Sequence, residues 1–136
     1  MPAYPDFIAD RLFDIRPDGG PVLLAGRDRS GRLVFPMPYD VERCDRVELP
    51  DRGILWSFTI QRFRPKSPPY AGAEAFQPYA VGYVTLDDAI IVESRLVGVA
   101  FDDLRIGMAL RLVLQPFVLA TGETRLTYAF SPEVLA

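Results

Sequence analysis

From Gly53 onward the chain alternates. Ile54, Trp56, Phe58 and Ile60 are apolar, while Ser57, Thr59 and Gln61 stand between and after them. A period of two sends successive side chains to opposite faces of a strand, whereas a helix repeats its faces every ~3.6 residues. The same signature returns four times. Tyr79–Leu86 carries it, interrupted by Gly82, which predicts a bulge or a sharp bend. Ala89–Val97 follows the tight turn Asp87-Asp88, with Ile90, Val92 and Leu96 on one face. Met108, Leu110, Leu112 and Leu114 make a fourth strand. Leu126, Tyr128 and Phe130 make a fifth, after the turn Thr121-Gly122-Glu123. Within these strands the alternation puts Trp56 and Phe58 in the core, and Tyr79 and Tyr83 are read as core filling with their hydroxyls at the rim.

Between the third and fourth strands lies Phe101–Gly107, long enough for one helical turn ending at a glycine. Five strands with a helix-like insertion at that place are the layout of an OB-fold barrel. Periodicity shows strands and not their pairing, so another five-stranded barrel path fits the same pattern. Upstream, Asp6 caps a predicted helix over Asp6–Ile15, in which Ile8, Leu12 and Ile15 fall on one face. Pro17-Asp18-Gly19-Gly20-Pro21 breaks it. Val22–Leu24 and Arg32–Phe35 read as two short strands around the turn Asp28–Gly31, and the stretch up to about Pro50 reads as irregular and charged. The expected organisation is mainly β: an N-terminal helix and linker over 1–20, small hairpins over 21–50, and the barrel over 51–136.

At 136 residues the chain suits one domain with a real core. It has no histidine, which removes Ser-His-Asp and Cys-His nucleophilic pairs and histidine metal ligands together. Its single cysteine, Cys44, allows no internal disulfide, and the first residues lack the pattern of a secretory signal. With no apolar run long enough to cross a bilayer, a cytoplasmic location is expected. The formal net charge of −3 lacks the basic footprint of a general nucleic-acid binder.

Gly31, Phe35 and Pro36 give the spacing Gly-x-x-x-Phe-Pro. Further on stand Gly53-Ile54-Leu55-Trp56-Ser57-Phe58-Thr59, Pro78-Tyr79-Ala80-Val81-Gly82-Tyr83-Val84, Leu104-Arg105-Ile106-Gly107-Met108 and Phe130-Ser131-Pro132. Together, and in this order, these resemble the zinc-ribbon/OB-fold family known as domain of unknown function thirty-five, over roughly Val22 to Pro132. The resemblance implies a rubredoxin-like ribbon before the barrel. Its four ligand positions fall on Arg27, Ser30, Val41 and Cys44, so three of the four thiolates are missing. Arg27 would set a positive charge beside the cation and Val41 offers no lone pair, so a ribbon without zinc is expected, held by packing of Val34, Phe35 and Met37. Cys44 is then a relic or a small buried hydrophobe.

The richest chemistry lies between the first two barrel strands, from Arg62 to Pro78. It holds the cations Arg62, Arg64 and Lys66 and the aromatics Phe63, Tyr70 and Phe76, and it is followed by Tyr79. These seven are the candidate ligand- or partner-binding residues, because in OB-folds this loop borders the usual binding face. Cations beside aromatics suit the phosphates and adenine of coenzyme A; contact with a partner protein is the simpler use. Asp87-Asp88 and Asp102-Asp103 are adjacent in sequence, so their side chains diverge and they read as solvated turns. No nucleophile, base and oxyanion hole come together. The resemblance therefore implies a non-catalytic accessory subunit of a thiolase-like enzyme (a thiolase, acyltransferase or retro-aldol lyase) acting on acyl-CoA in lipid metabolism. It would be a hetero-oligomer holding no tight cofactor of its own, with coenzyme A or acyl-CoA shared with the partner. A single-stranded nucleic-acid binder and a free-standing acyl-CoA hydrolase or transferase using a carboxylate are the rival readings.

Overall fold

The computed structural model describes residues 12–37, 44–62, 77–119 and 121–133. Among them, nine strands form two sheets. The first contains β1 (Phe13–Ile15), β2 (Pro21–Asp28), β3 (Leu33–Val34) and β4 (Cys44–Glu48), with β2 pairing antiparallel to each of the others. The second contains β5 (Arg52–Gln61), β6 (Tyr79–Leu86), β7 (Ile90–Leu96), β8 (Ala109–Val118) and β9 (Thr124–Pro132). It closes on itself in the order β5-β6-β7-β9-β8, with β8 returning to β5. The β7–β9 contact is parallel and the rest are antiparallel. A 3-10 turn at Phe101–Asp103 links β7 to β8, and Leu104 behind it is buried. This is the OB-fold path that the strand count and the place of the insertion predict.

Local chemistry explains the turns. Asp87 and Asp88 both adopt left-handed backbone, with φ of 54° and 52°, and Ala89 N–H closes the turn on Leu86 O at 3.0 Å. Aspartate tolerates that conformation better than most residues. Gly107, at φ 93°, brings the chain back so that its N–H reaches Leu55 O at 2.7 Å, and Leu55 N–H reaches Met108 O at 3.0 Å. These two bonds seat the start of β8 beside β5.

The phase of β5 departs from the alternation. Leu55 is fully buried, whereas Ile54 and Trp56 are 48% and 59% exposed. The cause is a bulge: Leu55 faces Val84 and Ser57 faces Tyr83, so Trp56 is an extra residue with no partner in the ladder. One inserted residue flips every later side chain to the other face. Phe58 and Ile60 therefore pack against the core as expected, while Trp56 points to solvent. In β6 the inward set is Ala80, Gly82, Val84 and Leu86, which leaves Tyr83 outside and Tyr79 half-buried. Neither tyrosine is core filling. Gly82 marks no bulge of its own. Its missing side chain gives room to Leu55 and Leu96, whose Cδ1 atoms would each lie 2.8 Å from a Cβ there.

Two expectations upstream are corrected. The predicted helix does not include Phe13–Ile15, which form β1; Asp6–Arg11 lie outside the described residues. Phe13 is buried in the common core and faces Leu23 across the ladder, so tertiary pairing overrides helical spacing. The stretch before Pro50 is not irregular throughout, because Cys44–Glu48 is β4. Its Asp45, Arg46 and Glu48 are exposed, and a strand with so little buried surface carries almost no apolar signal. The core is shared: Phe13, Leu23, Ala25 and Leu49 belong to one buried cluster with Leu55, Val84, Leu110 and Phe130 of the barrel. Phe35 adds an edge-to-face contact with Tyr128 of β9, ring centres 6.0 Å apart.

Candidate functional site

The loop that carries most of the candidate residues leaves and returns at one point, because Gln61 and Tyr79 are register partners. Arg62 is exposed at its start. Phe63, Arg64, Lys66, Tyr70 and Phe76 lie outside the described residues. Tyr79, at the loop's return, is covered by Arg95 of β7, whose guanidinium carbon stands 3.7 Å from the ring centre. The same guanidinium lies 5.0 Å from the ring centre of Phe117 of β8. A cation attracted by the faces of two rings is oriented by both. No motif in the sequence singles out Arg95 or Phe117. Arg95 sits at an outward position of β7, three places from buried Val92, which was the only available signal.

The outward residues of β5, β6 and β7 form rows across the sheet. Ile54, Thr85 and Ile91 are one row. Tyr83 and Glu93 are the next, joined by the bulged Trp56, whose ring meets Tyr83 edge-on at 6.3 Å. Thr59, Val81 and Arg95 follow, then Gln61 and Tyr79 at the foot of the loop. An open depression of about 300 Å³ adjoins the first row, lined by Ile54 and Thr85 together with Asp87 and Asp88. Arg52 and Glu133, which also line it, are joined by an ion pair of 2.9 Å.

The Arg27–Gly31 turn is organised without a metal-ligand set. The Asp28 carboxylate accepts hydrogen bonds from Ser30 N–H at 3.0 Å, Ser30 Oγ at 2.6 Å and Arg32 N–H at 2.9 Å. The Ser30 hydroxyl and the Arg32 amide hold that carboxylate below its ordinary pKa. Arg27 donates to Gly31 O at 2.8 Å, bracing the turn from outside. Of the four family ligand positions, Arg27 and Ser30 are engaged in this network, Val41 lies outside the described residues, and Cys44 begins β4 opposite Asp28. A guanidinium and a hydroxyl satisfied by Asp28 are no zinc ligands, so these residues do not fit a closed tetrahedral site. Among the described residues no three His, Cys, Asp or Glu groups come together as a metal cluster.

Nor do the described residues assemble a catalytic set. Ser94 is the one buried polar side chain among them, and its hydroxyl donates to Arg95 O at 2.9 Å. Tyr128 donates its hydroxyl to Glu93 O at 2.8 Å, and burial, aided by the Glu93 charge, pushes its pKa up to about 12. A phenol held neutral by burial and spent on a backbone carbonyl is a structural group.

Comparison with known proteins agrees with this architecture. A family model described as the ChsH2 C-terminal OB-fold domain matches residues 46–115. Among solved structures, one titled "Ltp2-ChsH2(DUF35) aldolase" is similar at a TM-score of 0.57 and 27% sequence identity, covering 83% of this chain and 86% of that chain. No curated protein matches the chain.

Proposed function

The chain belongs to the family of the ChsH2 C-terminal OB-fold domain, and on that premise we propose that it is a non-catalytic accessory subunit of a thiolase-like enzyme acting on an acyl-CoA in the cytoplasm. The observation that carries this reading is the likeness, over most of both chains, to a structure whose title pairs ChsH2 with Ltp2 as an aldolase. The site chemistry supports it. The candidate residues are cations and aromatics, suited to binding and positioning. In this reading the larger subunit supplies the reacting groups. The loop that starts at Arg62 and returns at Tyr79 lies against that subunit or the coenzyme A it holds, with Arg95 bracing the return. No zinc is required, because Asp28 closes the turn that a metal would otherwise organise.

Co-expression with a thiolase-like protein encoded beside it, followed by size-exclusion chromatography, tests the proposal. The expected result is co-elution, with acyl-CoA turnover by the complex and none by this chain alone. Separate elution, or turnover of acyl-CoA thioesters by the isolated chain, would overturn it. Replacing Arg62, Arg64 and Lys66 together by Ala is expected to weaken assembly or acyl-CoA binding about tenfold or more, as loss of several charge-assisted contacts does.

A further inference from the structure

Of the seven exposed large apolar side chains among the described residues, four stand together, while Phe101 and Ile106 lie between β7 and β8 and Val118 at the end of β8. Ile54, Trp56, Tyr83 and Ile91 are 48%, 59%, 46% and 47% exposed, and register places all four in two adjoining rows on the outside of β5, β6 and β7. Trp56 is there because the bulge takes it out of the ladder. Its edge-on contact with Tyr83 holds both rings on the surface. Burying such rings requires a partner, and aromatic anchors in a cluster of this kind dominate interface energies.

Beside Tyr83 and Ile54 the margin of the patch is acidic, while Arg95 stands one row further along the same face. Glu93 stands opposite Tyr83, and Asp87 and Asp88 line the depression beside Ile54. None of the three carboxylates has an ion-pair partner among the described residues. Arg52, the nearest cation of that depression, is already held by Glu133 and Asp51. An aromatic platform edged by free carboxylates repels a phosphate backbone, so a nucleic acid is the wrong occupant. It fits a protein surface with an apolar centre and a Lys/Arg margin. The same outer face continues through Thr59, Val81 and Arg95 to Tyr79, at the foot of the candidate loop.

The geometry points to the outer face of β5, β6 and β7, centred on Trp56 and Tyr83, as the surface on which the catalytic subunit docks, through an apolar site rimmed by basic residues. The inference rests on the accessory-subunit reading and adds to it the face, the anchor and the charge of the partner's surface.

Trp56 is the chain's one tryptophan, so a 5-fluorotryptophan label reports on this site alone. In the full chain, adding the unlabelled thiolase-like subunit should shift or broaden the fluorine resonance. Trp56→Glu and Ile91→Glu should each weaken the complex roughly tenfold or more. Glu93→Lys should weaken it through its charge, and the loss should shrink at high salt. Val118→Glu, equally exposed but at the far end of β8, should bind as wild type. Thermal melting identifies any variant that does not fold; should Trp56→Glu fail, Ile91→Glu decides. A stable wild-type complex with Ile91→Glu unimpaired would overturn the docking face and leave the accessory reading standing. Failure of the wild-type chain to bind would end both. Self-association of the chain alone through Trp56 would assign the face to a second copy and also overturn the inference.

Discussion

At the scale of single residues, the informative groups are the ones whose polar atoms are already spent. Tyr128 places its ring in the wall of the barrel, against Phe35, and gives its hydroxyl to Glu93 O. Burial raises its pKa from 10.0 to about 12, so the folded state keeps a proton that the unfolded chain releases. The contribution is therefore complete below pH 10.0 and is lost as pH rises toward about 12, at most about 3 kcal/mol for a shift of this size. Denaturant titrations across that window should show wild-type stability falling, with a shallower fall in Tyr128→Phe; identical slopes would remove Tyr128 from the account. The sequence places Tyr128 on the apolar face of its strand, and the structure agrees. It gave no sign that Asp28 would organise the Arg27–Gly31 turn, because three bonds to one carboxylate depend on a loop path that residue types alone do not specify.

At the scale of elements, β5 shows how one residue redirects a strand. The alternation Ile54, Trp56, Phe58, Ile60 is regular in the sequence, yet its first half faces solvent and its second half faces the core. Leu55, fully buried, takes the inward place before the bulge, and Leu55→Ala should cost about 2–5 kcal/mol through the cavity it leaves. Gly53 sets a second constraint. A Cβ there would lie 2.7 Å from Thr85 O and 2.6 Å from Val84 Cγ1, and a backbone carbonyl in a closed ladder cannot retreat as a side-chain end can. Gly53→Ala is expected to lose about 1–3 kcal/mol by overpacking, read from the urea midpoint; an unchanged midpoint would show that β6 yields there. β1 and β4 mark the opposite limit of legibility. β1 has three residues and β4 is mostly charged and exposed, so neither spans enough alternation to be seen before its partner is known.

At the scale of the whole molecule, the two sheets meet in one buried cluster, with Phe13 and Leu23 on one side and Leu110 and Phe130 on the other. Phe13→Ala should then destabilise the barrel as well as the sheet, by about 3–5 kcal/mol, in a single cooperative transition. Two separate transitions, with barrel probes unmoved, would show independent units. No helix among the described residues is long and apolar enough to cross a membrane. What the sequence determined by itself was local: where the five barrel strands lie, where the turns fall, and that the insertion follows the third strand. Side-chain alternation and turn chemistry act over a few residues and need no distant partner. Tertiary structure alone decided which face of β5 and β6 turns inward, that Phe13–Ile15 pair as a strand, and that Trp56 and Tyr83 stand together on the surface. An alternating strand is equally consistent with either face, and only the pairing that closes the barrel, with Trp56 left over as its unpaired residue, breaks that symmetry.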